Sequence, residues 1–141
     1  MQKNPVVHFE MPAKDNVRVK KFYEDAFGWG MNQMGDDMGG YMVATTTPSD
    51  PKTGRPTDPG AINGGFFQYN AQNPSLQYPN IVISVDDLKK AMEDVVKAGG
   101  KVLGGRTLGE PDDIPGIGLY CAILDTEGNR VGLLQPSPSM G

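Results

Sequence analysis

Hydrophobic and polar residues alternate along PVVHFEMPA, close to the start of the chain. A period of two is typical of a β-strand, because successive side chains of a strand point to opposite faces. The pattern places Val7, Phe9 and Met11 on one face of the predicted strand, and it places His8 and Glu10 on the other. The chain has one histidine, and that histidine therefore shares a face with a carboxylate two positions away.

The period changes to that of a helix after this strand. Asp15 or Asn16 is a favourable N-cap, and the following apolar residues recur at helical spacing until Gly28. Side chains of Asp and Asn accept hydrogen bonds from the free backbone N–H groups of a first helical turn, and glycine commonly ends a helix. We therefore expect a helix between these residues.

The strand–helix pattern occurs a second time at a constant offset of 72 residues. The second copy, NIVISVDDLKKAMEDVVKAGGKV, covers residues 80–102; Asp87 matches Asp15, and Gly100 matches Gly28. A cap and a terminal glycine that repeat in register indicate two copies of one structural unit.

Further β-rich segments complete each copy. In the first copy they are GYMVATTT (40–47) and INGGFFQY (62–69), and the proline-rich loop between them, residues 48–60, is a candidate lid. In the second copy they are GLYCAILD and NRVGLLQ, joined by a turn at residues 125–129.

Length and charge restrict the class of protein. With 141 residues, the chain is predicted to form one domain, residues 1–141, made of module one (4–70) and module two (78–137). The net charge of −4 argues against a nucleic-acid partner or an anionic membrane surface. The single cysteine, Cys121, lies in an apolar run and is expected to be buried, and no segment is long enough to span a membrane. A cytoplasmic protein is predicted.

Several short motifs together resemble the vicinal oxygen chelate superfamily, which includes glyoxalase I, bleomycin-resistance proteins and extradiol dioxygenases. The motifs are FY-x-x-x-FGW (22–29), VDDL (85–88), AGGKV (98–102) and DTEGNRVGLLQ (125–135). The resemblance covers nearly the whole chain and is greatest to the glyoxalase-related group. It implies an α+β fold in which two βαβββ modules form a cup-shaped mixed sheet that holds a small ligand, usually in a homodimer.

The resemblance also identifies four positions at which metal-dependent members hold a divalent ion. One position lies on the first strand and one on the last strand of each module, and they correspond here to His8, Gly65, Asn80 and Gly132. Divalent catalytic sites are built from about three imidazole, carboxylate or thiolate ligands. His8 is the only residue of this kind, so we expect no full metal site and no cofactor, with a divalent metal at His8 as the alternative.

Glycine at two of these positions is expected to enlarge the ligand cavity. Asn80 offers a donor and an acceptor there. The predicted ligand-binding residues are Asn80, Gly65, Gly132, Tyr41, Phe67 and Tyr120.

Three functions remain open. The first is binding of a small organic molecule without metal. The second is a metal-dependent reaction, such as that of a lyase related to lactoylglutathione lyase, an isomerase or a dioxygenase. The third is metal-free acid–base catalysis by His8 and Glu10, because an imidazole titrates near neutrality and a neighbouring carboxylate can fix its tautomer.

Overall fold

The computed structural model describes residues 3–137, and within this range it contains nine strands and two α-helices. In chain order they are β1 (Val6–Ala13), α1 (Asn16–Phe27), β2 (Gly30–Gln33), β3 (Met42–Thr45), β4 (Asn63–Gln68), β5 (Asn80–Ser84), α2 (Leu88–Lys97), β6 (Lys101–Gly104), β7 (Asp112–Ile114), β8 (Gly118–Leu124) and β9 (Arg130–Pro136). The fold belongs to the α+β class, as the sequence predicted.

The chain divides into two compact units. The N-terminal unit consists of residues 8–50 and 56–79, and the C-terminal unit consists of the described residues 3–7, 51–55 and 80–137. No helix in the described part of the chain is long and apolar enough to cross a membrane.

The N-terminal unit is a sheet with α1 against one face. Its strand order is β2-β3-β4-β1, in which β1 and β4 are parallel and the other neighbours are antiparallel. The buried side chains beneath α1 are Ala13, Met31, Met42, Ala44 and Phe66. Tyr23 of α1 stacks on Trp29 at 4.5 Å between ring centroids. Trp29 therefore packs against this core.

Both ends of α1 follow the sequence prediction. The Asp15 carboxylate accepts a hydrogen bond from the backbone N–H of Arg18 at 3.0 Å, and Gly28 ends the helix with φ of 72°. Left-handed backbone of this kind is accessible to glycine without steric cost.

The C-terminal unit has the same construction. Its strand order is β5-β9-β8-β6, with β7 also paired to β8, and α2 is capped by Asp87. The core beneath α2 includes Leu88 and Cys121, each with no exposed surface. Burial raises the pKa of the Cys121 thiol. Because the thiolate is the reactive form of cysteine, a thiol with a raised pKa is unreactive.

Three short strands, β2, β6 and β7, were not predicted from the hydrophobic pattern. Strand β2 has mainly polar side chains, and the three-residue β7 lies within a glycine- and proline-rich segment that reads as a connection. Neither has the apolar alternation that identifies a half-buried strand; each is defined by its pairing with a neighbour.

Candidate functional site

Strand β1 presents a polar face on the side of its sheet opposite α1. Phe9 and Met11 pack against the core of the N-terminal unit, so alternation along the strand turns His8 and Glu10 to the other side. The parallel register places Asn63 beside His8 and Gly65 beside Glu10. Two β1 side chains that can carry a proton therefore share one sheet face, as predicted.

A tyrosine ring covers Gly65 on this face. The Tyr41 hydroxyl donates a hydrogen bond to Oε2 of Glu10 at 3.2 Å. A Cβ atom added to Gly65 would overlap the Tyr41 ring and its hydroxyl. Val43 of β3 pairs with Gly65, and Tyr41 lies two residues before Val43. The Tyr41 side chain is therefore on the same sheet face as Gly65. Glu10, Tyr41 and Gly65, predicted separately, thus form one group.

The C-terminal unit contains the same arrangement on its own sheet. A Cβ atom added to Gly132 would lie 2.7 Å from both Cε2 and the hydroxyl oxygen of Tyr120. Tyr120 is two residues before Ala122, which pairs with Gly132. The tyrosine–glycine pair therefore occurs twice, at the same strand register, in units with different surrounding residues.

Asn80, the first residue of β5, is buried, with 8% of its surface exposed. Neither its side-chain nitrogen nor its side-chain oxygen has a hydrogen-bond partner among the described residues. Phe67, by contrast, is half-buried and shares the face of Glu10, because it follows Gly65 by two positions on β4. The sequence pattern identified both residues, although it could not reveal that the Asn80 amide is unsatisfied.

Asn63, which sequence reasoning did not select, fixes the start of the proline-rich loop. Its side-chain oxygen accepts from the backbone N–H groups of Thr46 and Thr47 at 2.7 and 3.1 Å, and its nitrogen donates to Ser49 at 2.8 Å. Near the other end of the loop, Thr47 and Asp58 are joined by a side-chain hydrogen bond of 3.2 Å. A motion of this loop over a ligand stays a prediction.

A groove of about 620 Å³ opens elsewhere in the N-terminal unit, beside the start of α1. Its lining includes Arg18, Phe22 and Lys14, whose ammonium lies 4.6 Å from the ring centre of Tyr69. None of the predicted site residues lines it, so the candidate chemistry is confined to the sheet faces.

Comparison with known proteins identifies the family. Residues 6–133 match the model of the Glyoxalase/Bleomycin resistance protein/Dioxygenase superfamily. The chain belongs to this superfamily. The glyoxylase-like domain-containing protein of Didymella fabae is 32% identical over 123 residues, which cover 85% of this chain and 84% of the relative.

Other relatives share the superfamily domain within longer proteins. The putative glyoxylase CFP32 of Mycobacterium bovis is 31% identical over 134 residues, or 94% of this chain, and the chain spans about half (46%) of that relative's length. Among solved structures, methylmalonyl-CoA epimerase of Streptomyces coelicolor superposes with a TM-score of 0.68 at 13% identity, covering 99% of each chain. At this identity the likeness shows a common fold.

The side chains at the superfamily's metal positions do not fit a divalent ion. Gly65 and Gly132 bring no ligand atoms, and no group of three or more His, Cys, Asp or Glu residues capable of holding a metal exists within residues 3–137. The expected enlargement of the cavity above the two glycines is wrong, because the rings of Tyr41 and Tyr120 take up that space. A neutral phenol supplies neither the charge nor the open coordination position of a ligating carboxylate.

Burial determines the charge of His8. Desolvation lowers the pKa of its imidazole below the usual value of 6.5, because a half-buried site disfavours the charged form. Near neutral pH the ring is therefore uncharged, and it has a free lone pair with which to accept a proton or a hydrogen bond.

We expect the His8 resonance to titrate below pH 6.5 in the folded protein, and the single histidine makes its NMR signals unambiguous. Below that pH the unfolded chain takes up this proton before the folded chain does, so the imidazole contributes a loss of stability as pH falls. Above that pH the His8 imidazole is neutral in both the folded and the unfolded chain, so it no longer changes the free energy of unfolding. The denaturation midpoint of His8→Gln should therefore fall less between pH 7 and pH 5 than that of the wild type. A titration at or above 6.5 would contradict the burial argument.

Proposed function

We propose that this superfamily member binds a small organic molecule directly, through polar side chains on the sheet faces opposite its helices and without a metal ion. The observation that carries the proposal is the Tyr41 hydroxyl, held over Gly65 and hydrogen-bonded to Glu10. A phenol and a carboxylate on a half-buried face can orient a ligand by directed hydrogen bonds, and the ring adds apolar contact area.

Acid–base catalysis is the second candidate. The Tyr41 hydroxyl donates a hydrogen bond to Oε2 of Glu10, and neutral His8 lies on the same strand face, so a carboxylate and an imidazole are available for proton transfer. Such a pair suits removal of a proton from a carbon next to a carbonyl group. In this scheme Tyr41 is a positioning residue, whereas Glu10 and His8 transfer the proton.

A metal-dependent lyase, isomerase or dioxygenase reaction is the third candidate, and it would require a ligand set other than the one at the predicted positions. The proposal further includes a homodimer, which the exposed rings of Phe22 and Phe27 on α1 support. A cytoplasmic location and the modules 4–70 and 78–137 remain predictions.

The test uses protein dialysed against a chelator and screened with small organic molecules by thermal shift, followed by calorimetry of the molecules that bind. We expect Tyr41→Phe to weaken their binding about tenfold, the effect of one directed hydrogen bond. Tyr69→Phe is the matched control, because Tyr69 belongs to the same unit and lines the separate groove beside α1. Equal losses in both variants, or binding that requires added metal, would contradict the proposal.

The same ligands distinguish binding from catalysis. For those with an acidic carbon–hydrogen bond, exchange of that hydrogen in deuterated water is followed by NMR. Catalysis predicts that His8→Ala or Glu10→Gln slows the exchange about a hundredfold or more, while calorimetry shows the ligand still bound. Exchange at the uncatalysed rate with the wild type would leave binding as the function.

A further inference from the structure

The Asn80 side chain lacks hydrogen-bond partners that a buried amide needs. Both of its polar atoms are buried and neither is bonded within residues 3–137. Folding has removed this amide from water, and each buried polar group left unpaired destabilises a protein by about 1–3 kcal/mol. Another molecule that pairs with the amide would offset that cost.

The strand register shows where such a molecule would meet Asn80. Val82, two positions along β5, pairs with Gly132, and the ring of Tyr120 covers Gly132. Asn80 therefore lies on the sheet face that carries the Tyr120–Gly132 pair, opposite α2. Val82 is itself buried, with 3% of its surface exposed. Apolar surroundings strengthen hydrogen bonds made to the amide.

The chemistry of an amide specifies its complement. The side chain of Asn offers an N–H donor and a carbonyl acceptor side by side. A partner satisfies both at once only if it presents an adjacent acceptor and donor, as a primary amide, a lactam, an imide or a protonated carboxylic acid does. A ketone, an ether or a carboxylate satisfies the donor and leaves the acceptor unpaired.

We propose that Asn80 recognises a cis-amide edge, such as that of a lactam or a primary amide, on a small molecule bound at this sheet face of the C-terminal unit. This inference rests on the proposed function and specifies the class of ligand. It assigns to Asn80 a pair of hydrogen bonds that no residue in the described part of the chain supplies.

The test compares two probes that differ by one methyl group. 2-Pyrrolidinone presents the N–H and C=O groups of a cis-amide, whereas N-methyl-2-pyrrolidinone lacks the N–H. Titration of the chelator-dialysed protein, followed through the Asn80 side-chain amide in the NMR spectrum, should give at least about tenfold tighter binding of 2-pyrrolidinone. Asn80→Leu, which removes both the donor and the acceptor, should remove this preference.

Stability gives an independent readout. Asn80→Leu removes an unpaired amide and keeps the branched skeleton of the side chain, so its melting temperature should equal or exceed that of the wild type. Asn63→Leu is the matched control, because the Asn63 side chain makes hydrogen bonds to Thr46, Thr47 and Ser49. This variant should melt several degrees lower than the wild type. A melting temperature of Asn80→Leu as low as that of Asn63→Leu would show that Asn80 has partners within the fold and would overturn the inference.

Failure of this inference can be told from failure of the proposed function. If 2-pyrrolidinone does not bind, or binds no better than its N-methyl analogue, while other molecules bind in a Tyr41-dependent manner, recognition by Asn80 is wrong and the proposed function stands. If the lactam preference is present and no molecule depends on Tyr41, the binding face in the N-terminal unit is wrong instead.

Discussion

Replacement of Gly65 with alanine is expected to lower the free energy of unfolding by about 1–3 kcal/mol, the range for overpacking a packed site. The added Cβ atom would overlap the ring and the hydroxyl of Tyr41. The ring cannot move away without breaking its hydrogen bond to Glu10. Chemical denaturation at a fixed pH measures the loss directly.

The matched control is Gly30→Ala, on strand β2 of the same unit. A Cβ atom there meets Thr45 Cβ at 3.7 Å, an ordinary contact, so the change should be nearly neutral. The double variant Tyr41→Ala/Gly65→Ala should recover part of the loss, and the double-mutant cycle should give a coupling of about 1–3 kcal/mol. Additive effects would show that Tyr41 does not lie over Gly65.

Local residue patterns were sufficient to predict most of the fold. The caps at Asp15 and Asp87 and the glycine that ends α1 act within a few residues of their helices, so the sequence reveals them without knowledge of the tertiary structure. The apolar alternation of β1 identified its two faces for a similar reason. Strands β2, β6 and β7 were missed because each has only three or four residues and is defined by its pairing with a neighbour.

The candidate site was predictable only as separate residues. The sequence singled out Tyr41, Gly65 and Glu10, but the contact among them depends on the register of β3 against β4 and of β1 against β4. Register is a long-range property, and a shift of one residue would turn the glycine to the other face. Tyr120 stands at the same register from Gly132, but it follows Tyr41 by 79 residues rather than 72, so the repeat of the strand–helix pattern does not reveal it.

Weak binding of divalent metals is the property that we expect to distinguish this chain most sharply from metal-dependent members of its superfamily. A Zn²⁺ or Ni²⁺ ion needs about three charged or imidazole ligands with open space for the ion between them. Here two of the four positions are glycines covered by tyrosine rings, and the remaining pair is His8 and Asn80. One imidazole and one neutral amide bind such ions weakly, so we expect orders of magnitude less affinity than a complete site provides.

The most direct measurement is metal stoichiometry by plasma mass spectrometry. Chelator-treated protein is equilibrated in turn with Zn²⁺, Ni²⁺, Mn²⁺ and, without oxygen, Fe²⁺, and then freed of unbound ion. Because tyrosine rings cover both glycines, we expect far less than one equivalent of each ion to bind per chain. The amount of bound ion should not differ between the wild type and His8→Ala. One full equivalent in the wild type that His8→Ala abolishes would contradict the direct, metal-free binding proposed for this protein.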